Sequence, residues 1–149
     1  MTAFIQGREV RNLVLGYSPV PKATGTLAAT TVPLFTIAGG MVAVTSLVGK
    51  VTTAITVAGV YKLQSNPTTG TTTDLCASTD IGTVDTAAGD IISPAGIGGF
   101  LRGLGTISAG EALVLPIGQI EHVSTLTDGA ITWYVTWYPY EDGASLSAA

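Results

Sequence analysis

The chain has 149 residues, of which 11% are charged, and its mean hydropathy is +0.49. This length favours a single domain that buries about two-thirds of the surface of its unfolded chain. Soluble domains carry about 25% charged residues, and charge keeps protein copies apart in solution. So few charges argue against a dispersed monomer and leave two explanations, a membrane or a covering of other protein.

Charge and hydropathy patterns also bear on the choice of partner. The net charge of −4 and the scattered positions of the six basic residues argue against nucleic acid, because phosphate binding needs clustered lysine and arginine. The best membrane candidate, residues 34–60, is interrupted by four glycines and by Lys50. A spanning helix needs about 20 mostly apolar residues. The sequence therefore predicts no nucleic-acid and no membrane partner, and it favours a covering of protein.

In chain order, residues 1–31 predict an extended N-terminal arm. A short strand is expected at residues 12–15, and breakers follow it, most densely in Pro19-Val20-Pro21. Proline is excluded from helix interiors and from central strands. We expect the arm to lie on another surface, either that of its own core or that of a neighbour, and a loose terminus is the alternative.

Residues 32–140 predict an all-β domain, an antiparallel β-sandwich or jelly-roll-like barrel. Strands are expected at 33–38 and 41–48, joined by a two-residue hairpin turn at Gly39-Gly40, since glycine accepts the positive φ of such turns. Both faces of the second strand are largely apolar, which indicates a strand covered on both sides. Its alternation groups Val42, Val44 and Val48 on one face and Met41, Ala43, Thr45 and Leu47 on the other.

The middle of the chain predicts shorter strands between polar loops. A strand at 50–56 follows Gly49, where a bulge is expected. The remaining expectations are a strand at 57–64, a threonine-rich loop at 65–73, an acidic loop at 78–90, a short strand at 91–92 and a glycine-rich segment at 96–106. These elements are typical of a sandwich whose strands are separated by glycine, proline and threonine turns.

The last third predicts strands at 111–116 and 119–125, then a hairpin turn at Asp128-Gly129 that leads into a strand at 130–138. Residues 141–149 predict a peripheral C-terminal tail. The strand at 130–138 holds both tryptophans of the chain and two of its five tyrosines.

This aromatic strand is the predicted centre of the core. Alternation with period two places Trp133 and Trp137 on one face with Ile131 and Val135. The opposite face carries threonine and tyrosine, namely Thr132, Tyr134, Thr136 and Tyr138. We expect the tryptophan face to be buried and the tyrosine face to meet a second layer or a neighbouring subunit.

Two reactive side chains, those of His122 and Cys76, are candidate catalytic groups. The single histidine, His122, follows Glu121, and adjacent strand residues point to opposite faces, so the two would not act together. We expect His122 to make one ordinary hydrogen bond. The single cysteine, Cys76, excludes an intrachain disulfide, and a nucleophilic role needs an activating base. A buried, inert thiol is the favoured interpretation.

No other motif predicts a site. The acidic residues of the middle loops, whose carboxylates are candidate Ca²⁺ ligands, lack EF-hand spacing and are interpreted as solvated charges: Asp74, Asp80, Asp85 and Asp90. The glycines at 96–99 lack the Lys-Ser/Thr ending of a phosphate loop. The sequence therefore predicts no catalytic residue, no cofactor and no metal site, and we do not expect an enzyme.

Three parts of the sequence resemble small structural proteins of tailed-bacteriophage virions. They are Pro33-Leu34-Phe35-Thr36-Ile37-Ala38-Gly39-Gly40 through 45–49, Lys62-Leu63-Gln64-Ser65-Asn66-Pro67-Thr68-Thr69-Gly70 through 74–76, and Ile131-Thr132-Trp133 through 142–144. Such proteins are typically small and β-rich, and they lie on the capsid or tail. The resemblance covers about residues 32–80 and 130–145, and it carries over no functional residue.

The resemblance implies a capsid decoration (cement) protein. It would bind the major capsid protein on the outside of the head shell and form a homotrimer. It would be found on the capsid surface of the virion after synthesis in the host cytoplasm. The candidate interface residues are Pro19, Val20, Pro21, Tyr134 and Tyr138. The alternative is a head-fibre or tail-tip protein that contacts the host surface.

Overall fold

A computed structural model describes residues 7, 10, 16–82, 86–94, 101–103 and 113–149, with the backbone alone for 101–103. From residue 16 onward every named element in these ranges is a strand. In chain order they are β1 (Val20–Thr26), β2 (Thr31–Ala38), β3 (Val42–Thr53), β4 (Val60–Pro67), β5 (Thr73–Asp74), β6 (Thr79–Asp80), β7 (Ile91–Pro94), β8 (Leu101–Gly103), β9 (Leu113–Leu115), β10 (Gly118–Ser124), β11 (Ala130–Pro139) and β12 (Ser145–Ala148).

The strands form two antiparallel sheets that pack against each other, so the predicted β-sandwich is confirmed. Sheet A has the order β1-β11-β3-β7-β8, with β9 also paired to β3. Sheet B has the order β12-β2-β10-β4-β5, with β6 also paired to β4. Each sheet turns one face toward a shared apolar core and the other face away from it.

The aromatic strand β11 lies inside sheet A, between β1 and β3. Its predicted alternation is confirmed: Ile131, Trp133, Val135 and Trp137 are buried, whereas Tyr134 and Tyr138 are exposed. Trp133 is completely buried and packs over Gly49 of β3, where an added Cβ would approach its ring to 3.1 Å. Residues from both sheets complete the core around it, including Leu63 of β4 and Phe35 of β2.

Both predicted hairpin turns are wrong. Gly39-Gly40 connects β2 of sheet B to β3 of sheet A, and Asp128-Gly129 lies between β10 of sheet B and β11 of sheet A. The chain crosses between sheets at both places, so the flanking strands do not pair with each other. Glycine supplies a positive φ both in a hairpin turn and in a turn that connects two sheets. The sequence alone therefore does not distinguish these two kinds of connection.

A bulge in β3 changes the predicted faces of that strand. Thr136 pairs with Ser46 and Trp137 pairs with Val44, so Thr45 is an extra residue without a position opposite it. Past this point the alternation is reversed. Leu47 therefore shares the core face with Val44 and Val48 faces outward, whereas the predicted alternation had placed Val48, not Leu47, on the face of Val44. No register shift occurs at Gly49, where the bulge was expected.

Strand boundaries differ from the predictions in two further places. β4 continues through Pro67 into the range predicted as a threonine-rich loop. The range predicted as a C-terminal tail supplies β12, an edge strand that pairs with β2 and buries Leu146. The predicted strand at 12–15 and most of the glycine-rich segment at 96–106 lie outside the described residues, and β8 occupies 101–103 within that segment.

Part of the predicted N-terminal arm lies on the protein's own sheet. β1 pairs with β11, and the backbone N–H of Tyr17 donates to the carbonyl oxygen of Trp137 at 2.7 Å. The two rings are in contact, with centroids 5.0 Å apart. Because β1 forms the edge of the sheet, it tolerates Pro21.

The connection from β2 of sheet B to β3 of sheet A can be tested by a substitution at Gly39. Gly39 has φ +76°, and an added Cβ would lie 2.2 Å from the carbonyl oxygen of Gly143. Gly25 has φ +70° with open space around it, and it is a matched control. We expect Gly39→Ala to lower the free energy of unfolding by about 2 kcal/mol and Gly25→Ala by about 1 kcal/mol. Equal losses of unfolding free energy for the two variants, measured by urea titration, would contradict the close approach of Gly39 to the carbonyl oxygen of Gly143.

Candidate functional site

The outer face of sheet A is the main candidate for a functional surface. Residues directly opposite each other in an antiparallel ladder share a face. Tyr134 lies opposite Pro21 on one side and Val48 on the other, and Tyr138 lies opposite Ala43, which in turn lies opposite Val114. We call this surface the tyrosine face. Its members are Pro21 and Ala23 of β1, Thr132, Tyr134, Thr136 and Tyr138 of β11, Ala43, Ser46, Val48 and Lys50 of β3, Ile91 of β7 and Val114 of β9.

Large apolar groups on the tyrosine face are open to solvent. Tyr134 and Tyr138 are each 37% exposed, Val114 is 39% exposed and Ile91 is 36% exposed. Lys50 lies toward one end of the face, and the next strand on that side, β8, places Arg102 opposite Ser93 of β7. A hydroxyl pair, Thr45 and Thr136, is hydrogen-bonded across the bulge at 2.9 Å. An exposed apolar surface of this composition is a candidate contact surface for another molecule.

The predicted interface residues do not all lie on this face. Pro21, Tyr134 and Tyr138 do, and the pairing of β1 with β11 brings Pro21 directly opposite Tyr134. Val20 lies opposite Val135, so it turns toward the core, against which it is partly buried. Pro19 is exposed just before β1.

Sequence reasoning missed three apolar members of the face: Val48, Ile91 and Val114. Ile91 and Val114 are contributed by short strands far from β11 in the chain, and only the ladder shows that they share its outer face. The outward position of Val48 depends on the bulge at Thr45. A glycine within residues 42–48 would have indicated a bulge and so placed Val48 on the outer face, but this segment contains no glycine.

The outer face of sheet B has a different chemistry. Glu121 accepts hydrogen bonds from the side-chain amides of Gln64 at 2.7 Å and Asn66 at 3.0 Å. Thr72 donates its hydroxyl to the side-chain oxygen of Asn66 at 3.1 Å. Glu121 is 6% exposed, and Gln64 and Asn66 are partly exposed, so the polar groups of this face satisfy one another without depending on water. The sandwich therefore has one apolar and one polar outer surface.

Lys62 and Asp74 extend the polar face with an ion pair of 2.7 Å. A shallow depression of about 270 Å³ lies at the other end of this face. Hydroxyl and amide groups of Thr36, Asn66 and Gln119 contribute to its lining. Such groups are able to bind hydroxyl-rich ligands through hydrogen bonds.

His122 lies in the core rather than at a site, and the expected hydrogen bond is not found with any described residue. Its side chain is 2% exposed, and neither ring nitrogen has a hydrogen-bond partner among the described residues. It stacks on the ring of Tyr61 at a centroid distance of 5.2 Å. Tyr61 in turn stacks on Trp133 and accepts a hydrogen bond of 2.8 Å from its indole nitrogen. Burial lowers the pKa of His122 from 6.5 to about 4.

Cys76 is buried, as predicted. Its sulfur accepts a hydrogen bond from the backbone N–H of Leu63 at 3.3 Å, and burial raises the pKa of the thiol. Burial favours the neutral thiol over the nucleophilic thiolate. No described base lies beside the sulfur in the hydrogen-bond network.

The acidic residues of the middle loops have structural partners. Asp80 accepts hydrogen bonds from the backbone of Gly82 at 3.0 Å and of Gly59 at 3.4 Å, and Asp90 accepts one from Ala87 at 3.0 Å. Asp85 lies outside the described residues. Within the described ranges, no group of three or more histidine, cysteine or acidic residues is placed to hold a metal ion. Those ranges also hold no helix long and apolar enough to cross a membrane.

Comparison of the whole chain with protein-family models, with curated proteins and with solved structures finds no match. The chemistry of the two outer faces and the sequence itself are therefore the features that bear on function.

Proposed function

We propose that this protein is a structural component of a tailed-phage virion, a decoration protein that binds the outside of the head shell. The chemical contrast between the outer faces of the sandwich carries the proposal. An apolar tyrosine face beside a hydrogen-bonded polar face suits a protein that lies between other proteins and solvent. The low charge of the chain and its resemblance to virion proteins support the same function.

Decoration proteins work by repetition on a lattice. Many symmetric copies contact the shell at once, so each contact need only be modest in affinity. In the proposed mechanism the protein bridges neighbouring major-capsid subunits, and its N-terminal arm extends the contact. Bridging resists the outward pressure of packaged DNA. No step in this mechanism uses a catalytic group or a cofactor.

Rebinding to depleted particles tests this proposal. Purified protein would be added to heads of the encoding phage that lack it, followed by sedimentation and quantitative gel analysis. We expect saturation at a copy number set by the shell lattice and a higher temperature of DNA release. Absence of binding, or binding of a few copies at a single vertex, would contradict a decoration role.

Removal of residues 1–15 tests the bridging arm separately. This deletion leaves Tyr17 and β1 in place, so the fold contacts with β11 are retained. We expect an unchanged unfolding transition for the isolated protein, together with lower occupancy and a lower temperature of DNA release for the particles. Full occupancy with an unchanged release temperature would show that the arm does not bridge.

A second candidate function is a head-fibre or tail-tip protein that contacts host glycans. The depression at Thr36, Asn66 and Gln119 favours it, because amide and hydroxyl groups line an accessible hollow. Antibody labelling in electron microscopy separates the two functions. Label over the whole shell is expected for decoration, and label at one vertex or on the tail is expected for host contact.

A further inference from the structure

We infer that the tyrosine face binds the same face of a second copy of this chain, with a twofold axis near Tyr134 and Val48. The inference deepens the proposed function and rests on it: the protein that covers the tyrosine face is a second copy, and the shell is contacted by residues 1–15 and by the surface that the dimer leaves outward. In a twofold contact the same patch is used by both copies. The resulting assembly stacks sheet A of one copy on sheet A of the other and leaves both polar faces outward.

The composition of the face suits a protein contact. Interface cores are enriched in tyrosine and other aromatic residues and depleted in lysine and acidic residues. Tyr134 and Tyr138 present apolar rings with one hydroxyl each, and the hydroxyls of Ser46 and Thr132 lie beside them on the same face. A second copy brings the same rings and hydroxyls, so apolar and hydrogen-bonding groups are available on both sides.

The charge of this side of sheet A lies toward one edge. Lys50 pairs with Ile91 of β7, and Arg102 of β8 lies opposite Ser93 of the same strand. The members of the face on β1 and β11 are uncharged, so the centre of the face does not attract a strongly charged partner. Lys50 lies two residues from Val48, about 7 Å along β3. A twofold axis at Val48 therefore separates the two Lys50 Cα positions by about 14 Å, which exceeds the Debye length of about 8 Å at physiological salt.

The size of the face matches a stable dimer. β11 has ten residues, so at about 3.4 Å per residue the face is about 34 Å long. Four strand rows (β1, β11, β3 and the row shared by β7 and β9) at about 4.8 Å spacing make it about 19 Å wide. The flat area is about 650 Å², and side-chain relief increases the accessible area. Standard interfaces bury about 800 Å² on each partner.

A single patch of one chemistry favours twofold over threefold symmetry. A ring of three copies needs two different complementary patches on each copy, whereas a twofold contact needs one patch that complements itself. The trimer predicted from the sequence is therefore replaced in this inference by a dimer that uses the tyrosine face.

Sedimentation equilibrium of the full chain tests the inference. We expect a monomer–dimer equilibrium for the native protein and at least about a 100-fold weaker dimer for Tyr134→Glu, because a buried carboxylate opposes association at the centre of the contact. Gln119→Glu adds the same charge to the polar face and is expected to leave the dimer unchanged. A monomer at all accessible concentrations, or a trimer, would overturn the inference.

Cross-linking gives a second readout that does not depend on weakening the fold. In a Cys76→Ala background, Tyr134→Cys places a thiol beside the proposed axis, and Gln119→Cys places one on the polar face. Stacked sheets lie about 10 Å apart, too far for a direct disulfide, so a short bis-maleimide is used. We expect it to link two copies of Tyr134→Cys but not two copies of Gln119→Cys. Equal yields from both variants would overturn the inference.

The outcomes separate this inference from the proposed function. A monomer that still saturates depleted shells contradicts the dimer and supports decoration. A dimer through Tyr134 that fails to bind shells supports the interface and contradicts decoration. Binding of the native protein to neutral lipid vesicles, lost in Tyr134→Glu, would assign the face to a membrane and overturn the dimer.

Discussion

Replacement of Trp133 by alanine is expected to lower the free energy of unfolding by about 3–5 kcal/mol. Trp133 is completely buried at the centre of sheet A, and its indole N–H donates to Tyr61 of sheet B at 2.8 Å. The substitution removes the largest side chain of the core and leaves a cavity between the sheets. Urea unfolding followed by circular dichroism at low protein concentration measures the loss.

Two variants serve as controls for Trp133→Ala. Tyr61→Phe keeps the ring but leaves the buried indole nitrogen of Trp133 without its acceptor, and we expect a loss of about 1–3 kcal/mol. Tyr134→Ala alters the next residue of β11 on its outer face, where the side chain is 37% exposed, and we expect a loss of about 1 kcal/mol for the dilute protein from weaker cross-strand packing. A loss for Trp133→Ala no larger than that for Tyr134→Ala would contradict the assignment of inner and outer faces.

The second large effect is a fall in stability at acid pH caused by His122. Burial lowers its pKa from 6.5 to about 4 in the folded protein. As the pH falls from 6.5, the unfolded chain therefore binds a proton before the folded chain does. Stability decreases between pH 6.5 and pH 4 by up to about 3 kcal/mol, and this contribution is constant below pH 4, where both states are protonated.

The variant His122→Phe isolates this contribution. Phenylalanine keeps an aromatic ring against Tyr61 and removes both unpaired buried nitrogens. We expect it to be at least as stable as the native protein at pH 7 and to lack the decrease attributed to His122. The two proteins differ only at position 122, so the difference between the two urea-denaturation profiles reports the histidine. Parallel profiles from pH 7 to pH 4 would contradict this assignment.

The sequence predicted well those features that follow from a long, regular alternation. In β11 the apolar and polar residues alternate without a bulge from Ile131 to Thr136, so both faces were assigned correctly. In β3 an extra residue at Thr45 reverses the alternation and a second one lies at Thr52, and nothing in the local composition marks either of them. A one-residue shift exchanges the two faces of a strand. For this reason Val48 was wrongly grouped with Val44, and Leu47 was wrongly grouped with Ala43.

Pairing between distant strands was the main part of the fold that the sequence did not predict. The turns at Gly39-Gly40 and Asp128-Gly129 have hairpin composition but connect the two sheets. The distinction depends on which partners β2 and β10 find elsewhere, and each pairs with the other. Long-range pairing is a property of the whole chain, whereas turn chemistry is local.

The candidate site was predicted in part for the same reason. Tyr134 and Tyr138 were identified because the aromatic strand shows its two faces directly. Ile91 and Val114 join them only through ladders with β3. His122 was placed correctly on a strand, but its lack of a hydrogen-bond partner depends on the core residues around it.

Footprinting of the tyrosines tests the central claim most directly, namely that the tyrosine face is covered by protein in the assembled state. The protein would be exposed to hydroxyl radicals in its assembled form and after dissociation by dilution, and oxidation would be quantified by mass spectrometry. Tyr61, which is completely buried in the fold, is the unreactive reference in both states. We predict that Tyr134 and Tyr138 are protected on assembly and become reactive on dissociation. Equal reactivity of these two tyrosines in both states would contradict the account.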